Sequence, residues 1–213
     1  MKLFNLAATA MGAALILTGC ATAGYKQADK TGAGMAEFRE EILSAKAAID
    51  NTMDSLDQVA ATATTDPRKA FEQYSKSVKH LESVAAKAGK RGQAMKADGE
   101  AYFKKWEQEI AQVSNPEIRQ LAEQRKARLQ GAFTGIRQHA EPLKAQFDPW
   151  LSDLKDLEKY LGNDLTVTGV DAARNLITRS RWQGVEVQKA MDGLVAELNS
   201  IAATITPAKA AAK

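Results

Sequence analysis

Cys20 is the only thiol in the 213-residue chain, and His80 and His139 are the only imidazoles. Structural and catalytic zinc sites gather three or four Cys, His or carboxylate donors at close spacing, and one isolated thiol does not begin such a set. Helical bundles that hold two metal ions place a glutamate three residues before a histidine. Here those positions are Ser77 and Ile136. A serine nucleophile of the Gly-x-Ser-x-Gly kind is absent. Ala88-Gly89-Lys90-Arg91 lacks the upstream glycine, the hydroxyl residue after lysine and the preceding strand of a phosphate-binding loop. No catalytic residue, metal ligand or cofactor is therefore expected, and a non-enzymatic role is. With no second cysteine, an internal disulfide is excluded.

The chemistry open to Cys20 is set by what precedes it. Met1-Lys2 gives a short positive start, and Leu3 to Leu17 is apolar apart from Asn5 and Thr9, as in a secretory signal. As a helix that stretch reaches roughly 22 Å, short of the ~30 Å hydrocarbon core, so a permanent span is not expected. Leu17-Thr18-Gly19-Cys20 resembles the lipobox of bacterial lipoproteins, in which small residues let a membrane-embedded peptidase reach the peptide bond. The resemblance implies cleavage between Gly19 and Cys20 and acylation of Cys20; the alternative is a free cysteine behind an ordinary signal peptide. Two or more acyl chains suffice for stable anchoring. Ala21 stands where an aspartate would resemble an inner-membrane retention signal, which favours an outer membrane and a periplasm-facing domain. The expected partners are thus the membrane, through the lipid on Cys20, and an envelope protein or a second copy of the chain. A formal net charge of +3 gives no reason to invoke nucleic acid.

Beyond the signal (1–19), residues 20–34 are small and polar and read as a lipidated flexible tether, able to hold a domain up to about 48 Å from its lipid. From Met35 onward, apolar residues recur at alternating spacings of three and four, the mark of helices packed through heptad seams. The first seam is Met35, Phe38, Ile42, Ala45, Ile49, Thr52, Leu56, Val59 and Ala63; the last runs from Val170 through Ile177, Val187 and Leu194 to Ile205. Helices are predicted over about 35–64, 67–113, 116–161 and 169–205, with a disordered tail over 206–213. Asp66-Pro67 and Asn115-Pro116 are cap-plus-proline starts, and Thr168-Gly169-Val170-Asp171 resembles a capping box. Pro142 and Pro149 each remove an amide donor, so kinks or a short break are expected between 138 and 149. Short connections imply antiparallel neighbours. The fold class is all-α: an elongated antiparallel four-helix bundle, or coiled coil, with the second and third helices outrunning the others.

That overhang brings Tyr102, Phe103, Trp106, Ile110, Ile118 and Leu121 to one end, as a two-helix core or as a surface offered to membrane or partner. Trp182 lies off its seam beside Arg179 and Val185, which suits burial against a third helix or a contact surface. Residues 35–64 carry a net charge of −4 and residues 68–105 a net charge of +6, so opposite fields favour pairing of the first two helices. The sharper reading makes Lys87, Lys90, Arg91 and Lys96 a docking patch for an anionic polymer or phospholipid. Arg125 falls on a seam, its stem packed and its head reaching solvent. A runner-up function is a carrier whose bundle opens around an acyl chain, with an enzyme of unrecognised type as the third reading.

The lipobox, Tyr25-Lys26, Phe71-x-x-Tyr74, Phe103-x-x-Trp106-x-x-Glu109, Ala140-Glu141-Pro142-Leu143 and Leu154-x-x-Leu157 together resemble a bacterial lipoprotein-type family of unknown function, DUF2959. Gly162-Asn163-Asp164-Leu165 departs from its pattern. The resemblance covers nearly the whole mature chain. It implies a coiled-coil domain in the envelope and supplies no activity or catalytic residue.

Overall fold

The computed structural model describes residues 23–205, which form four α-helices and no strand. The predicted signal, the Gly19–Cys20 cleavage point, the lipidation site and the tail 206–213 lie outside the described residues. The helices are α1 (Ala23–Thr62), α2 (Arg68–Ile110), α3 (Pro116–Asn163) and α4 (Val167–Ile205). At 1.5 Å per residue they are roughly 59 to 72 Å long, so the bundle is elongated. Each helix packs against two neighbours in a ring, with α1 between α2 and α4 and α3 opposite it; the diagonal pairs make no close backbone approach. The closest pair is α1 with α2 and the loosest α2 with α3.

The heptad stripes are what the bundle buries. Every α1 seam residue from Met35 to Ala63 is buried, as is every α4 seam residue from Val170 to Ile205. Thr52, the one polar member of the first seam, is fully buried, and its hydroxyl donates to the Ala48 carbonyl at 2.7 Å. This internal bond satisfies the group that would otherwise make its burial unfavourable. On α3 the stripe from Leu129 to Leu161 faces inward, whereas Ile118 and Arg125 near its start remain exposed.

Four expectations are corrected. Residues 23–34 are helix rather than tether, because Ala28 and Thr31 continue the three-four stripe back from Met35 and are buried with it. Their small side chains let α1 approach α2, where Lys30 pairs with Asp98 at 2.6 Å and Gln27 reaches the Asp98 carbonyl. Second, α3 runs through Pro142 and Pro149 without the short break that was one of the two expected outcomes. Both prolines and the carbonyl-bearing residues four positions earlier, Gln138 and Ala145, are exposed, so water can satisfy the orphaned carbonyls. Third, α4 starts two residues early: the Thr166 hydroxyl, not that of Thr168, accepts the Gly169 amide at 3.1 Å. Finally, α2 stops at Ile110 rather than 113, and its last carbonyls, at Glu107, Glu109 and Ile110, accept the amides of Ala111, Gln112 and Val113 in a closing turn.

The expected α3 start holds. Asn115 accepts the amides of Glu117 and Ile118 at 2.9 and 3.3 Å, with Pro116 in the first turn. Arg119 donates back to the Val113 carbonyl and fixes the α2–α3 turn.

Candidate functional site

The end of the bundle that holds the α2–α3 turn carries most of the residues singled out from the sequence. Because α1 runs antiparallel to α2, its first turns lie beside the last turns of α2: Gln27 and Ala28 line a shallow groove of about 320 Å³ with Tyr102, Lys105, Trp106, Ile110 and Val113. Tyr102 and Ile110 are buried there; Phe103 and Trp106 are half-buried against the core. The rings interlock edge to face, Tyr102 on Trp106 with centroids 5.4 Å apart and Phe103 on Phe133 of α3 at 5.1 Å. Burial pushes the Tyr102 phenol above its usual range, against an opposing pull from Arg125. This aromatic group is therefore mainly internal packing between α1, α2 and α3.

Ile118 and Leu121 are the exception, exposed to 53% and 66%. Arg125, one to two turns further along α3, donates to the Thr204 carbonyl in the last turn of α4. That bond places a cation beside carbonyls of the last described turn of α4, toward the negative end of the helix dipole. The first turns of α3 project beyond it, in keeping with the expected overhang; the overhang of α2 is instead covered by the longer α1.

A second groove, of about 410 Å³, opens where α2 and α3 are loosest. Phe38, Met95, Phe103, Phe133 and Ile136 line it, with Lys96, Glu100 and Arg137 at its mouth. Its floor depends on glycine. A Cβ at Gly99 would collide with the Phe133 ring, and one at Gly92 would lie 3.1 Å from the Phe38 ring.

The basic stretch of α2 is largely engaged. Lys87 pairs with Glu41 at 2.8 Å, Arg91 with Glu37, and Lys96 lies 3.9 Å from Glu100. Two of the four candidate anion contacts thus meet α1 carboxylates, which is the geometry that opposite helix fields predict; Lys90 is exposed alongside them.

Of the two readings of Trp182, burial against a third helix is overturned. The residue is 65% exposed on the face of α4 turned away from the core, with Val185 also exposed next to it. The flank of α4 that meets α1 is held by Arg181 with Asp57, Gln188 with Asp50 and Lys46 with Asp192, leaving Trp182 outside the joint.

Sequence reasoning missed two aromatic anchors. Tyr74 is fully buried and donates to the Leu154 carbonyl at 2.7 Å; Trp150 donates to the Ser180 carbonyl at 2.8 Å. Both fall on seams, but nothing in a heptad stripe says which carbonyl a ring will reach. Among the described residues no cluster of His, Cys, Asp or Glu is arranged to hold a metal, and no helix is long and apolar enough to cross a membrane. His80 and His139 are both exposed and lie on different helices.

No curated protein and no solved structure matches the chain. The family model described as a protein of unknown function, DUF2959, matches residues 20–208, and with that coverage the all-helical chain belongs to this family.

Proposed function

We propose that the protein is a non-enzymatic, lipid-anchored envelope protein, fixed to the outer membrane through Cys20 and projecting its helical rod into the periplasm as a scaffold or adaptor. The observation that carries the adaptor reading is Trp182: the rod keeps a large aromatic side chain in water beside Val185 while its own core is filled from the seams. Exposed aromatic and aliphatic neighbours are the usual anchors of a protein contact. The anchor reading is supported by the lipobox at Leu17–Cys20. Mass spectrometry of the mature chain tests it: the first residue is expected to be an acylated Cys20, and an unmodified thiol at that position overturns it. A photoreactive residue replacing Trp182 in intact cells tests the adaptor role, with a discrete crosslinked product that Val185→Glu abolishes. Crosslinking indifferent to Val185→Glu sinks it.

A second reading, a carrier of an acyl chain or similar hydrophobe, is favoured by the groove between α1, α2 and α3. Its size and mainly apolar lining fall in the range of small-molecule sites. Native mass spectrometry separates the two: co-purifying lipid favours the carrier, and a chain that emerges empty favours the scaffold.

A further inference from the structure

The start of α1 and the start of α3 lie at the same end of the rod, which bears on how the rod meets its membrane. Only Ala21 and Thr22 separate Cys20 from Ala23, the first residue of α1. Three peptide steps span at most about 11 Å even when fully extended. Ala28, in the second turn of α1, lines the groove formed with Tyr102, Trp106 and Ile110, so the anchored end of the chain is the end that carries the α2–α3 turn. At that same end Ile118 and Leu121, three residues apart on one side of α3, are exposed, beyond the level at which Arg125 meets Thr204 of α4.

We propose that the first turns of α3 are a membrane-contacting tip, in which Ile118 and Leu121 enter the interface of the lipid surface that holds Cys20. The proposal rests on the lipid anchor. A flexible tether would have left the rod free to sit far from the bilayer; a helix beginning at Ala23 brings the tip within a few residues' reach of it. Charge near the tip is mixed, with Arg119, Arg125, Lys126 and Arg128 interspersed with Glu117 and Glu123, and Lys126 paired with Glu107 of α2. Insertion is therefore apolar rather than electrostatic, and it persists at high salt. Two contacts, the acyl chains and the tip, fix the rod's tilt where one would leave it to swivel.

The full-length lipidated protein provides the test. Acylation blocks Cys20, so Leu121→Cys introduces the sole free thiol, which takes an environment-sensitive fluorophore. Thr65→Cys, in the turn at the opposite end, and Leu176→Cys, on the side of α4, serve as controls for affinity of the dye itself. In phosphatidylethanolamine–phosphatidylglycerol vesicles bearing acyl-chain nitroxides, the label at 121 is expected to shift to the blue and lose fluorescence, and those at 65 and 176 to do neither. Adding Ile118→Asp should reverse the response at 121 while helicity is unchanged. Protein that floats with the vesicles but shows the same fluorescence at all three sites overturns the tip and leaves the anchor standing. Protein that fails to float, and whose Cys20 reacts with maleimide, overturns both.

Discussion

The indole N–H of Trp150 on α3 donates to the Ser180 carbonyl of α4, and the ring of the same residue lies against Gly184, where a Cβ would sit 3.1 Å from it. Small residues at 180 and 184 on one helix thus form the recess that a large residue on the next one fills. Met53 of α1 closes the recess, since a Cβ at 184 would also lie 3.4 Å from its sulfur. Three helices meet at this point, and the site is nearly dry: Trp150 is 1% exposed.

Trp150→Phe should lower stability by about 1–3 kcal/mol through loss of the hydrogen bond and part of the ring, and Trp150→Ala by roughly 3–5 kcal/mol. Gly184→Val should also destabilise, by about 1–3 kcal/mol, because a Cβ there already lies 3.1 Å from the Trp150 ring and 3.4 Å from the Met53 sulfur, and two further methyl groups must be housed in a buried joint. Urea denaturation followed by far-ultraviolet circular dichroism checks both; a neutral Gly184→Val would show the joint to be loosely packed.

Glycines within one helix should respond with opposite signs. A Cβ at Gly89 would meet nothing within 4 Å, so Gly89→Ala should stabilise by about 0.5–1 kcal/mol through helix propensity alone. At Gly99 the same change drives a methyl group into the Phe133 ring, and the clash should outweigh that gain, giving net destabilisation. Thermal midpoints of the two variants, measured side by side, decide the matter.

Burial, reinforced by Glu158, holds the Tyr74 phenol far above its ordinary value of 10.0. Below about pH 10 the phenol is neutral in both folded and unfolded chains, so its contribution is intact. Above that the unfolded chain ionises first, releases its proton and is favoured, so stability falls as pH rises. Tyr74→Phe should flatten this alkaline decline and, at neutral pH, cost about 0.5–1.5 kcal/mol for the lost bond to Leu154. Denaturation curves between neutral and strongly alkaline pH provide the check.

Replacing Lys87, Lys90, Arg91 and Lys96 together with glutamine should leave binding to anionic vesicles unchanged. Lys87 and Arg91 already serve Glu41 and Glu37, and exposed pairs of this kind contribute about 0–1 kcal/mol each, less at high salt. A marked loss of vesicle binding in sedimentation would instead restore these residues as an anion-docking patch.

Of the three tryptophans, Trp182 should emit at the longest wavelength and be quenched freely by iodide, because it alone is exposed. Trp182→Phe should remove the quenchable emission with a stability change of less than about 0.5 kcal/mol, as expected for a surface position. Quenching that survives the substitution would mean that Trp106 is more open than its packing on Tyr102 implies.

Much of the fold is legible in one dimension because heptad burial is local: whether Ile177 or Leu194 faces inward depends on the period of its own helix, and the seams of α1 and α4 are buried as spaced. Caps are local as well, and Asn115-Pro116 starts α3 as written, whereas at α2 Pro67 itself takes the cap position, with Asp66 accepting the Arg68 amide from just before it. Residues 23–34 are ambiguous by themselves, because alanine, glycine and threonine serve equally as a loose tether or as the small face of a tight helix pair. What selects the helix is the surface of α2 around Asp98 and Tyr102, some seventy positions away. The start of α4 is ambiguous for a related reason: Thr166 and Thr168 offer the same hydroxyl, and the turn built on Asp164 picks the first.

The sequence by itself determined that the chain is helical, where its turns fall, which stripe of each helix seeks shelter, and that Cys20 is the only residue with reactive thiol chemistry to offer. Only the tertiary structure decided that α1 already runs at Ala23, that Lys87 and Arg91 are engaged by α1, that Trp182 faces water, and that Ile118 and Leu121 stay exposed at the end they share with the start of α1. The first set follows from forces between neighbours along one chain. The second depends on which surfaces meet across the bundle, and a period of three and a half residues is silent about that.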